Sequence, residues 1–183
     1  MKTTLRQIAL LVPFLALLAA APVHAEKADR SKPVGIEADK VTVDDKNKIH
    51  IFTGHVVLTQ GTLTIRSDRL VVTQDAEGYQ RGVATGGEGG LARFRQKREG
   101  KNEWVEGEGE RIEHDARSEL SQFFQRAHVK SGTDEVRGQY IQFNGVTETY
   151  VVTNGPNATT VPSQQGRVQV TIQPKKKEGD SAP

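Results

Sequence analysis

A chain of 183 residues with no cysteine cannot rest on disulfides or thiolate metal clusters, and its length suits one domain. Its formal charge of +2 includes Lys2 and Arg6 at the extreme N-terminus. Without those two, 23 basic residues face 23 acidic ones, so composition gives no reason to expect a nucleic-acid partner.

Residues 1–25 read as a secretion signal: Lys2 and Arg6 are the positive start, 8–21 is an apolar stretch interrupted by Pro13, and Val23-His24-Ala25 is a small-residue cleavage site. Cleavage before Glu26 is expected, because the apolar stretch falls short of the roughly 20 residues a membrane-spanning helix needs. The remainder divides into a flexible N-terminus at 26–33, a folded domain at 34–173 and a disordered basic tail at 174–183 that carries Lys175, Lys176 and Lys177.

After the leader, no segment repeats apolar residues at helical spacing over three turns. Alternation with a period of two predicts strands at 36–38, 41–43, 49–51, 56–58, 63–65, 70–72, 92–94, 141–143, 150–152 and 168–172. Turn signals separate them: Asp44 to Asn47, Thr53-Gly54, Gln60-Gly61, Asp75 to Gly78, Gly86 to Gly90, Gly100 to Asn102, Ser131 to Asp134, Asn144-Gly145 and Asn154 to Asn157. The expected fold is all-β, an antiparallel meander closed as a thin sandwich or jelly roll with one aliphatic seam open at both ends. Its two edge strands are expected near Ile36 and Ala38 and near Val168, Val170 and Ile172, where unpaired backbone groups invite other chains.

An internal repeat supports that architecture. Residues 40–72 and 111–143 run in parallel at an offset of 71, with Asp44 on Asp115, Phe52 on Phe123, Gly61 on Gly132, Thr62 on Thr133 and Arg66 on Arg137. Apolar pairs keep the same spacing: Val41 with Ile112, Ile49 with Leu120, Val56 with Ala127, Leu58 with Val129, Ile65 with Val136, Leu70 with Ile141 and Val72 with Phe143.

Catalytic chemistry is hard to assemble from these residues, and no enzyme is expected. His50, His55, His114 and His128 are scattered over strands without ligand spacing; His50 and His55 facing one another across Gly54 would be the one weak metal site, against the simpler reading of solvent-facing histidines. Glu106, Glu108 and Glu110 alternate as a solvated strand face rather than a glycosidase carboxylate pair. Gly86-Gly87-Glu88-Gly89-Gly90 lacks the Lys-Ser or Lys-Thr of a phosphate cradle. No metal and no cofactor is expected.

Several short motifs nevertheless carry a resemblance. Ile36-Glu37-Ala38-Asp39, Phe52-Thr53-Gly54-His55-Val56, Gln60-Gly61 and Ser67-Asp68-Arg69-Leu70, followed in order by Ala92-Arg93-Phe94-Arg95-Gln96, Val105-Glu106-Gly107, Ile112-Glu113-His114-Asp115 and Gly138-Gln139-Tyr140-Ile141-Gln142-Phe143, closely resemble the OstA-like family of periplasmic lipopolysaccharide transport proteins. The likeness spans 34–173. His114 stands where the family often has tyrosine, and Gln125 where the second repeat usually has the glycine corresponding to Gly54.

The resemblance implies a β-jelly roll in the periplasm of a Gram-negative bacterium. Such a protein stacks end to end and carries lipopolysaccharide, its lipid A acyl chains shielded in an apolar groove. Its implied partners are an inner-membrane complex protein of the LptC type, an outer-membrane translocon of the LptD type and further copies of itself. The positions that recur across the repeat are the candidate groove lining: Val41, Ile49, Phe52, Val56, Leu58, Ile65, Leu70 and Val72, with Ile112, Leu120, Phe123, Val129, Val136, Ile141 and Phe143. Each acyl CH2 kept from water is worth ~0.8 kcal/mol, so a seam of this kind lowers the barrier to aqueous transit without any catalytic group. Two alternatives remain: a membrane-anchored OstA-like partner of the same pathway, or a secreted carbohydrate-binding β-protein. The latter needs an aromatic platform, and Trp104 is the sole tryptophan.

Overall fold

The computed structural model describes residues 29–78, 80–154 and 168–173, so the expected signal segment and basic tail lie outside the described residues. The strands are β1 (Gly35–Glu37), β2 (Lys40–Asp44), β3 (Ile49–Gln60), β4 (Leu63–Gln74), β5 (Gln80–Thr85), β6 (Ala92–Lys97), β7 (Trp104–Gly109), β8 (Arg111–Asp115), β9 (Leu120–Ser131), β10 (Asp134–Asn144), β11 (Thr149–Thr153) and β12 (Gln169–Thr171). Single 3-10 turns at Asp29–Ser31 and Glu88–Gly90 are the only helical pieces among the described residues. The first of these lies in the stretch 26–33 expected as a flexible N-terminus: Asp29 is buried, and its Oδ2 accepts the Thr62 backbone N–H at 2.8 Å.

All strands belong to one antiparallel sheet, and four long ones fold it over on itself. β4 pairs with β5 through Arg69–Gln74 but with β6 through Thr64–Arg66. β9 pairs with β8 through Leu120–Phe124 and with β7 through His128–Ser131. β3 likewise takes β2 and then β1 on its free side, while β10 takes β11 and then β12. The result is two leaves, β2-β3-β4-β5-β8-β9-β10-β11 and β1-β3-β4-β6-β7-β9-β10-β12, joined along one line. It is the expected jelly roll, but not a simple meander, because β5 pairs with β8 and β7 with β9.

The joining line is made by bulges. Gly54 and His55 have φ of 81° and 46°, and Gln125 and Arg126, at the repeat offset, have 59° and 51°. Register slips there between Thr53 and Val56, and in the second repeat between Gly138 and Tyr140. Thr53-Gly54 is therefore not a turn; it is a bulge that bends a continuous strand from one leaf into the other. The residue replacing glycine, Gln125, adopts the same left-handed conformation, at a cost of about 1 kcal/mol. The offset also relates left-handed Lys48 to Glu119 and Gly61 to Gly132.

Between the leaves lies the core. Phe94 of β6, in the second leaf, meets Phe123 edge-on at 5.6 Å and Phe143 at 6.4 Å, both in the first leaf. Phe123, Ile112 and Ile141 are fully buried, each contributing about 1.5–3 kcal/mol of apolar transfer. Gly107 is required beneath Phe123, since a Cβ there would collide with the ring.

Candidate functional site

The seam between the leaves is where most of the expected lining residues meet. Val56, Leu58, Ile65, Leu70, Val72, Ile112, Phe123, Val129, Ile141 and Phe143 are buried there, and Phe52 and Val136 pack against them. Val41 shares the inward face, opposite Phe52, but on an edge strand it is 53% exposed. Ile49 and Leu120 are corrections: Ile49 lies opposite Asp44 and Thr73, and Leu120 opposite Asp115 and Asn144, on the outward face. Each is three residues from its inward phenylalanine, an odd separation within a straight strand, and alternation therefore turns it away. Leu63, Ala84, Ala92, Phe94 and Val105 are core residues that the repeat could not identify. All but Leu63 fall between the two repeat copies, and Leu63 is matched by Asp134. The alternation of Ala92 and Phe94 was the available signal.

Opposite the bulge line, the tips of the leaves face each other across a slit. Toward the N-terminal edge the slit widens into a cavity of about 540 Å³ lined by Asp29, Ser31, Val34, Gln60, Leu63, Gln80, Gln96, His114, Ala116, Arg117 and Glu119, among others. Leu58, Ile65 and Val72 line an adjoining apolar recess. Toward the C-terminal edge the slit is bridged: Arg98 of the second leaf's tip makes a fork to Glu148 of the first, at 2.7 Å and 3.2 Å, and just inside it Phe143 and Tyr150, opposed on the first leaf, stack at 4.9 Å. Among the described residues the slit is therefore wide toward the N-terminal edge and narrow toward the C-terminal one.

The histidines do not form a site. His50 faces inward opposite Val72, while His55 sits in the bulge with Nδ1 2.8 Å from Asp39 Oδ2. His114 is not solvent-facing: its Nδ1 lies 3.0 Å from Ser121 Oγ, and burial pushes its pKa down to about 4. Among the described residues no group of side chains is arranged to hold a metal ion. Glu106 and Glu108 do share a strand face, each beside an arginine, whereas Glu110 lies beyond β7 and pairs with Arg126 at 2.7 Å. A further concavity of about 430 Å³, on the outer face of the second leaf, is lined largely by Arg66, Arg93, Arg95, Lys130, Glu106 and Glu108. Those charges make it a poor host for apolar chains; the seam is the better candidate.

Exposed large hydrophobic residues collect at the two sheet edges. Val41 and Val43 lie on β2, Val151 on β11, and Val168, Val170 and Ile172 on or beside β12; Val146, in the β10–β11 turn, is adjacent. Ile36 is half-buried against the core and Ala38 is exposed. The edges are hence broader than expected, with β2 extending the N-terminal one and β11 the C-terminal one.

Comparison with known proteins fits this geometry. The family model described as "LptA/(LptD N-terminal domain) LPS transport protein" matches residues 35–149. The chain belongs to this LptA family. Among its relatives, lipopolysaccharide export system protein LptA of Escherichia coli K12 is 28% identical over 142 residues, 78% of this chain and 76% of that protein. LptH of Pseudomonas aeruginosa is 26% identical over 163 residues, 88% of this chain and 91% of that one. The crystal structure of LptH, described as the LptA homologous periplasmic component of a lipopolysaccharide transport device, superposes with a TM-score of 0.71 at 23% identity, covering 80% of this chain and 99% of that chain. The LptA-type fold is thereby established, and with it the two-leaf jelly roll.

Proposed function

We propose that this LptA-family protein carries lipopolysaccharide through the periplasm, its leaves parting to receive lipid A acyl chains and its copies stacking head to tail between an inner-membrane partner of the LptC type and an outer-membrane translocon of the LptD type. The observation that carries the reading is a continuous apolar seam that opens toward the N-terminal edge into a cavity of about 540 Å³, within the range of ~300–1,000 Å³ usual for small-molecule ligand pockets. Photo-crosslinkers at Phe52, Leu58 and Phe143 are expected to label with lipopolysaccharide, and ones at the outward Thr59 and Gln142 are not. Equal labelling of both sets would reject the seam as the carrier.

The internal repeat supports a register for stacking. β1 to β4 recur as β7 to β10, and β5 and β6 lie against β4 as β11 and β12 lie against β10. Within the chain the repeats join through β5 on β8 and β6 on β7, where Ala84 opposes Ile112 and Phe94 opposes Gly107. Carried over by 71 residues, the same junction sets β11 on β2 and β12 on β1 of the next copy, with Val152 opposite Val41 and Val170 opposite Ile36. A head-to-tail contact of this kind repeats without closing. Because the chain has no cysteine of its own, Val170→Cys with Ile36→Cys is expected to yield disulfide-linked ladders under oxidation; single variants are expected to give at most dimers. Val170→Pro removes an edge donor and is expected to keep the protein monomeric in light scattering, with an unchanged circular dichroism spectrum.

A further inference from the structure

A lipid whose tails lie in the seam must keep its polar head outside, so moving along the stack requires the head to travel down the slit between the leaf tips. A charged connection between the tips spans that route. Arg98, from the β6–β7 turn, donates from Nη2 and Nε to the two carboxylate oxygens of Glu148 in the β10–β11 turn, at 2.7 Å and 3.2 Å. Lys101 Nζ reaches the same carboxylate at 3.2 Å, and Glu103 braces Arg98 from its own turn at 2.7 Å. The pair is largely withdrawn from solvent, the two side chains being 19% and 26% exposed. The leaves are joined on the opposite side along the line of left-handed bulge residues, and at the C-terminal end of the slit this clasp and a Tyr150–Ser131 hydrogen bond just inside it tie the tips together.

We propose that the Arg98–Glu148 clasp is a gate across the slit, opened when an anionic group on the lipid head takes the place of the Glu148 carboxylate on Arg98 and Lys101. The inference rests on the seam reading above and adds a binding site for the head. A phosphate is the fitting class of ligand: it accepts the planar guanidinium fork as a carboxylate does, and it carries more charge to share between two cations. Glu148 is held in its charged form by the Arg98 hydrogen bonds and by Lys101, so protonation does not release the clasp near neutral pH, and a competing anion is needed. Once Arg98 and Lys101 turn to the phosphate, Glu148 loses its partners and the tips lose their ion-pair bridge. The weaker contacts just inside, Phe143 with Phe94 and Tyr150 with Ser131, then give way to the incoming chains.

The test compares entry of bisphosphorylated lipid A and its dephosphorylated form into the full-length protein purified after export, followed by the rate of photo-crosslinking from a probe at Phe143, which faces the second leaf across the seam. In the unmodified protein the phosphorylated lipid should enter about tenfold faster or more, as a charge-assisted hydrogen bond implies. Arg98→Ala combined with Lys101→Ala should abolish that preference while speeding entry of the dephosphorylated lipid. Glu148→Gln should speed the dephosphorylated lipid and keep a preference for phosphate. A purely structural clasp would speed both lipids alike and leave the ratio untouched, and that result overturns the proposal. So does a Glu148→Gln protein that admits lipid no faster than the unmodified one. Arg98→Lys, which retains a cation without the fork, gives an intermediate ratio and serves if the double variant does not fold. Inorganic phosphate at matched concentration should leave the entry rate of the dephosphorylated lipid unchanged; faster entry with phosphate alone reassigns the site to a free anion and overturns the lipid gate. If the unmodified protein admits neither lipid, the seam reading falls along with the gate, whereas entry of both with unaltered ratios removes the gate alone.

Discussion

Val41 and Ile112 occupy the same place in the two repeats, yet one is 53% exposed and the other fully buried. The difference is a neighbour: β5 covers Ile112 through Ala84, and no strand among the described residues covers Val41. Their corners match in detail. Asp39 donates its backbone N–H to Gly54 O at 3.0 Å and its carboxylate holds His55; Glu110, 71 residues on, donates to Gln125 O at 3.1 Å and holds Arg126. The backbone device is reused while its side chains are free to differ. What distinguishes the first repeat is its position at an unfinished edge, where the same unit that forms the interior in the second repeat is left as a surface for another chain.

Truncation at the paired phenylalanines should separate the repeats most strongly. Phe123 is fully buried and in edge contact with Phe94, whereas Phe52 is only half-buried toward the edge. Phe123→Ala is expected to cost ~3–5 kcal/mol in chemical denaturation, through lost transfer energy and a residual cavity. Phe52→Ala should cost ~1–2 kcal/mol. Equal losses would show that the first repeat is as tightly closed as the second, and the distinction between edge and interior would fail.

A pH scan addresses another matched pair, Val43 and His114. Burial drives the His114 pKa down to about 4, with the Asp115 charge opposing. The imidazole is favoured neutral in the fold, so its contribution is fully present above the unfolded value near 6.5 and is lost as pH falls toward 4. The slope in that window should approach ~1.4 kcal/mol per pH unit, on top of the titration of carboxylates. His114→Gln is expected to flatten it; an unchanged slope would mean that the imidazole is hydrated in the native protein.

At the bulges, glycine and its replacement should respond in opposite directions. Gly54 has φ 81°, and a Cβ there would collide with the Asp39 carboxylate, so Gly54→Ala is expected to cost ~1–3 kcal/mol. Gln125→Gly relieves a left-handed non-glycine residue and should stabilise by up to about 1 kcal/mol. Thermal denaturation of both variants decides whether the two corners are the same device.

Much of this architecture was legible in the sequence, for identifiable reasons. The offset of 71 and the alternation of apolar residues are properties of single strands, and they located the repeat and most of its inward face. Apolarity alone points Ile49 and Leu120 inward, but each stands at an odd spacing from Phe52 or Phe123, and strand alternation overrides it. Thr53-Gly54 read as a turn because a left-handed glycine serves a bulge and a turn equally well. β5 and the site roles of Phe94 and Val105 escaped because they lie outside the repeat copies. The Arg98–Glu148 clasp joins turns 50 residues apart, and no local pattern announces such a contact.

The smallest expected effect concerns the corner ion pairs themselves. An arginine stays charged at any working pH, but His55 is charged only when protonated, and the Asp39 hydrogen bond and charge raise its pKa above the ordinary value. A raised folded-state pKa means that the stabilisation is present below about 6.5 and fades as pH climbs through the folded value. This window lies on the alkaline side of the one governed by His114, so the two histidines act with opposite signs in separable ranges. The pair is fully solvent-exposed and screened, which limits its effect on global stability. NMR titration of the His55 ring is therefore the sensitive measurement: its pKa should exceed that of an unperturbed histidine and return to the ordinary value in Asp39→Asn. Unchanged titration in that variant would leave the first corner held by its backbone hydrogen bond alone, and the side-chain half of the correspondence with Arg126 and Glu110 would have no energetic content.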